Sequence, residues 1–93
     1  MSEEKLRSIH AKYYRQEYFD ENRTQREMAL EYLEKFDSIT PMEALTAFGC
    51  FRLSARISEL REDGYVITTE IHKGKKNYAV YSLKGEDDVQ SND

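Results

Sequence analysis

Between residues 40 and 64 the chain is cut three times: by Pro41, its only proline, and by Gly49 and Gly64. Thr40-Pro41-Met42-Glu43 is a complete helix start. Threonine caps, proline takes the first helical position where its missing N–H costs nothing, and glutamate reaches back from the third. That helix ends after about two turns at Phe48, because Gly49 can adopt positive φ. A second helix is expected over residues 52–63, with Leu53, Ile57 and Leu60 as a narrow apolar seam and Gly64 as its stop. A short helix, a tight corner and a longer helix either pack for stability alone or hold the second helix out to be read.

Upstream of Pro41 there is no proline and no glycine, so the first forty residues read as helical. Ser2 with Glu3 and Glu4 suits a helix start, and Leu6, Ile9 (or His10) and Tyr13 recur at helical spacing. A dense aromatic group follows, Tyr13, Tyr14, Tyr18 and Phe19, and Asp20-Glu21-Asn22 breaks the helix. Thr24 with Glu27 is a capping box that opens another helix, with Ala29, Tyr32, Leu33 and Phe36 on one face and Glu31 paired to Lys35. Only a stub of strand fits around Ile39. After Gly64 the period becomes alternating: "YVITTEIH" and "NYAVYSL" read as strands joined through "KGKK". A two-residue loop at Gly74-Lys75 predicts a type II′ turn and places Ile67 and Ile71 on one face with Tyr78 and Val80.

The chain's 93 residues suffice for one modest core, and 39% hydrophobic with 34% charged residues fits a wet-surfaced globular class. No run approaches the roughly 20 apolar residues of a membrane span, and "MSEEKLRS" is too charged for a secretory signal. A lone cysteine, Cys50, forms no internal disulfide and agrees with a reducing cytoplasmic setting. The net charge of -4 comes entirely from the tail "GEDDVQSND", which is expected to be disordered. Residues 24–84 hold nine bases and nine acids, so a local basic patch is compatible with the acidic total.

The element order, helix, strand stub, short helix, turn, longer helix, hairpin, is the winged helix-turn-helix plan. At "SITPMEAL", "FG" and "RLSARISELREDGYVI" the chain resembles the small winged helix-turn-helix domains of bacteriophages and prophage-like elements. The resemblance covers residues 24–84. It implies an α+β winged helix-turn-helix fold, with a three-helix core, a two-stranded β-hairpin wing and a role in DNA binding. Cys50 stands where a larger aliphatic residue is expected, and residues 1–23 form a helical extension outside the resemblance.

Helical angles define the candidate site. At 100° per residue, the face opposite the Leu53–Ile57–Leu60 seam carries Phe51, Arg52, Ala55, Ser58, Glu59 and Glu62, basic and small at its start and acidic at its end. Arg52 can donate two bonds to guanine, and Ser54, Ala55 and Ser58 allow close approach in a major groove. Arg56 lies beside the seam, suited equally to a phosphate contact and to a structural ion pair. The hairpin tip supplies Lys73, Lys75 and Lys76 for the DNA backbone, or as solubilising charges on an exposed turn.

Tyr32, Tyr65, Tyr78 and Tyr81 are expected in the core rather than stacked on bases. Leu6, Ile9, Tyr13, Tyr14, Tyr18 and Phe19 are assigned to an interface between two copies, giving a homodimer suited to a palindromic site. The competing expectation is that this helix folds back on its own domain. Cys50, His10 and His72 are too scattered for zinc, and no phosphate loop or serine elbow occurs, so neither an enzyme nor a cofactor is expected. The alternative to a DNA-binding regulator is a winged-helix module that docks another protein, such as a host factor, or an architectural or recombination-directionality role.

Overall fold

The structure, a computed structural model, describes residues 3–84; the Ser2 cap and the acidic tail lie outside the described residues. Along the chain come α1 (Glu3–Glu17), α2 (Gln25–Phe36), β1 (Ser38–Ile39), α3 (Pro41–Phe48), α4 (Leu53–Glu62), β2 (Val66–His72) and β3 (Tyr78–Lys84). Four helices pack against a three-stranded antiparallel sheet of order β1-β3-β2.

The helix boundaries have local causes. The Thr24 N–H donates to Glu27 Oε1 at 2.9 Å while the Glu27 N–H returns to Thr24 Oγ1 at 3.1 Å. Thr40 and Glu43 repeat this box at α3, at 2.8 and 3.2 Å, with Pro41 in the first turn. Gly49, at φ 69°, closes α3 in the left-handed region. Asp37 ends α2 in the same region at φ 70°, a stop that carries no glycine signal in the sequence. Aspartate tolerates this conformation better than most residues, and its carbonyl accepts the Leu83 N–H at 3.1 Å.

One core serves the whole described chain. Met28, Ala29, Tyr32 and Leu33 of α2 meet Ala44, Ala47 and Phe48 of α3 and Leu53, Ile57 and Leu60 of α4, all buried, with Ile39, Ile67 and Tyr81 from the sheet. α1 joins it by packing chiefly against α3. Ala11 and Tyr14 are fully buried, and the Tyr14 ring stands 5.5 Å from Tyr32 and 5.9 Å from Phe48. Burying such a ring contributes about 2 kcal/mol. The helix therefore folds back on its own domain. Tyr14 belongs to the core and not to an interface between copies, and Tyr18 is half-buried against the same core.

The hairpin corrects the expected register. His72 pairs with Tyr78 and Ile71 with Ala79, leaving residues 73–77 as the loop, and Gly74 does not take the left-handed φ of a type II′ turn. A slip of one residue exchanges the faces of a strand. Ile67, Thr69 and Ile71 thus share a face with Ala79, Tyr81 and Leu83, while Tyr78 and Val80 lie on the other. The register is set from β1: Ile39, fully buried, sits opposite Tyr81, so Tyr81 must face the core. Tyr65 and Tyr78, expected inside, are each 39% exposed. Along the inner face of β2, burial falls from Ile67 at 5% exposed to Ile71 at 53%. The distal half of the hairpin overhangs the helical body as a wing.

Candidate nucleic-acid interface

The corner between α3 and α4 is built from Gly49, Cys50 and Phe51. Cys50 is buried, and that burial pushes its thiol up, so it packs as a small hydrophobe. Gln25 Nε2 donates to the Gly49 carbonyl at 3.3 Å, tying the corner to the start of α2. Beyond the corner Arg52 is the N-cap of α4, and no side chain caps this helix, unlike α2 and α3.

The seam of α4 is buried as its spacing predicts, with Leu53, Ile57 and Leu60 each at 2% exposure or less. Arg52, Ser54 and Ser58 are exposed and Ala55 is half-buried, so the structure brings these four together on the solvent side of the helix. Arg56 is committed elsewhere: its Nη2 lies 3.1 Å from Glu59 Oε2. Its Nε is buried without a partner, so the half-buried Arg56 sits as a structural side chain along the flank. From residue 49 to residue 58 there is no acid, and the acids of α4 begin at Glu59.

Two arginines invisible as site supports in the sequence hold α4 in place. Arg61 donates from Nε and Nη2 to the Ile67 carbonyl at 3.0 and 2.7 Å, and from Nη2 to Thr69 Oγ1 at 2.8 Å. Arg26 of α2 pairs with Asp63 at 3.1 Å. Helix spacing alone does not reveal such contacts, because each partner is supplied by a different element.

On the wing, Lys73, Lys75 and Lys76 are exposed around an open Gly74. Below them His72 Nε2 lies 2.6 Å from Glu70 Oε1, and its Nδ1 lies 3.3 Å from the Tyr78 hydroxyl, which fastens the two strands where the loop leaves them. On α1, Leu6, Ile9 and Tyr13 are 44–48% exposed; just past its end Phe19 is 36% exposed, under the guanidinium of Arg15 at 4.6 Å.

A family model described as "winged helix-turn-helix domain" matches residues 24–86. The match spans most of the chain, and the protein belongs to this family, whose fold points to DNA binding. No curated protein and no solved structure matches the chain. No described helix is long and apolar enough to cross a membrane.

Proposed function

We propose that this chain binds double-stranded DNA as a small transcriptional regulator, without catalysis or cofactor, in the cytoplasm of cells carrying a phage or similar mobile element. α4 enters the major groove with Arg52, Ser54, Ala55 and Ser58, and Lys73, Lys75 and Lys76 release counterions along the backbone. The observation that supports this most is the combination on α4 of a buried seam with an outward side that carries no acid before Glu59, in a domain whose hairpin ends in an exposed lysine tip. The phage-type resemblance supports the biological setting. Arg56, held by Glu59, contributes little as a free cation.

Two copies on a palindrome fit the exposed Leu6, Ile9 and Tyr13 of α1, which share one flank of that helix. Titrating the full chain with random duplex DNA tests the proposal. Binding should weaken steeply with salt, and changing Lys73, Lys75 and Lys76 together to alanine should flatten the dependence by about 2.7 log units per log unit of salt, at 0.9 per phosphate. An unchanged slope removes the wing from the interface, and no binding at low salt rejects DNA as the partner.

A second reading has its own support. Met42 at 68% and Leu45 at 36% exposure leave the outer face of α3 apolar, as a surface that docks another protein would be. That reading predicts saturable protein binding lost in Met42→Asp with no duplex affinity in the parent chain. Duplex binding with no promoter response instead marks an architectural or recombination-directionality role.

A further inference from the structure

Phe51 is 85% exposed, the most exposed of the large apolar side chains in the described chain. Such a ring left in water gives up the stabilisation of burial, and no contact among the described residues accounts for it. A residue just before an N-cap often packs on the fourth helical residue as a hydrophobic staple. Here that partner is Arg56, which is turned to Glu59.

The surroundings limit what the ring can meet. Residues 49–58 carry no acid and hold the exposed Arg52, a setting complementary to a polyanion. A protein partner would take the ring as a knob inside an apolar surround, yet the chain that follows it presents the exposed Arg52 and Ser54 and a half-buried Ala55. Those small side chains suit a close approach to a flat stack of base edges. The apolar group such a stack presents in the major groove is the C5-methyl of thymine.

We propose that Phe51 is a specificity-determining residue whose ring packs on a thymine methyl beside the base contacted by Arg52. This rests on the DNA-binding reading above. It adds a base preference that hydrogen-bonding residues alone would not supply, since thymine and its demethylated analogue present the same donors and acceptors.

The test separates the two layers. The full chain is first used to select a preferred site from randomised duplexes. Each thymine of that site is then replaced singly by deoxyuridine, which removes one methyl and nothing else. At one thymine per half-site the parent chain should bind about fourfold more weakly, the factor for one buried methyl. Phe51→Ala should bind the thymine and deoxyuridine duplexes equally while keeping the salt-sensitive binding of the parent. Phe51→Leu, which keeps an apolar side chain at that place, should retain most of the preference. Both variants should melt with the parent, because the ring is outside the core.

The inference is overturned if Phe51→Ala keeps the full deoxyuridine penalty, if no thymine shows one, or if the variant loses affinity equally for all duplexes. In those cases the parent still binds DNA, and the parent reading survives. If the parent binds no duplex, the DNA reading itself has failed and this inference goes with it; the exposed ring then belongs to a protein contact.

Discussion

The two helices of the helix-turn-helix unit are built to opposite rules. α3 is closed at both ends, by Thr40, Pro41 and Glu43 at the start and by Gly49 at the stop. Its Glu43, only 4% exposed, accepts from the Thr40 N–H at 2.8 Å, from the Tyr32 hydroxyl at 2.9 Å and from Arg7 of α1 at 2.9 Å. One carboxylate thus joins α1, α2 and α3. α4 starts without a side-chain cap, exposes Phe51 and Arg52 at its entry, and is fixed from its far end by Arg61 and the Arg26–Asp63 pair. Polar groups are spent inward on the first helix and left outward on the second. This is the division expected when one helix positions and the other reads.

The sharpest way to break the contrast is Glu43→Ala. Removing the carboxylate strands the buried Tyr32 hydroxyl and the Thr40 N–H and releases Arg7, so urea unfolding should show a loss of about 3 kcal/mol. A loss below 1 kcal/mol would mean that the three-helix junction is held by apolar packing alone.

Alkaline titration comes next. Burial, reinforced by Glu31 at Tyr14 and by Glu43 at Tyr32, raises both phenols above their ordinary value. A raised folded-state value means stability is intact below about pH 10, where phenols of the unfolded chain begin to ionise, and is lost as pH climbs above it. The decline should approach 1.4 kcal/mol per pH unit for each tyrosine. Tyr32→Phe should flatten the curve, and an equally steep curve in that variant would contradict the assignment.

Thr40→Ala should cost about 1 kcal/mol through the lost cap. On the other helix, Arg52→Ala and the triple lysine variant should stay within about 0.5 kcal/mol of the parent in stability, since their side chains are exposed. Arg52→Ala should instead relax preference at one base position in a selection experiment. A stability change as large as that of Thr40→Ala would place Arg52 on the structural side of the comparison.

How far the sequence carried this reading depends on range. Capping boxes at Thr24 and Thr40, the stop at Gly49 and the buried seam of α4 were legible, because each is decided within a few residues. The left-handed stop at Asp37 was hidden, since no glycine marks it. The hairpin register failed for a non-local reason: β3 takes its phase from Ile39 of β1 and not from the turn. Tyr14 looked like part of an aromatic interface because nothing nearby in sequence reveals that α1 turns back onto α3. Of the site, the exposed positions 52 and 58 followed from helical angles, whereas the pairing of Arg56 with Glu59 and the Arg61 clamp on β2 came only with the structure.

Backbone amide shifts of the labelled full chain during titration with its selected duplex test the division of labour most directly. Large perturbations should fall on residues 51–58 and 73–76, while amides around Arg7, Tyr32 and Glu43 stay put. Shifts centred instead on the exposed flank of α1 or on Met42 and Leu45, with residues 51–58 silent, would contradict the claim that α4 is the reading helix.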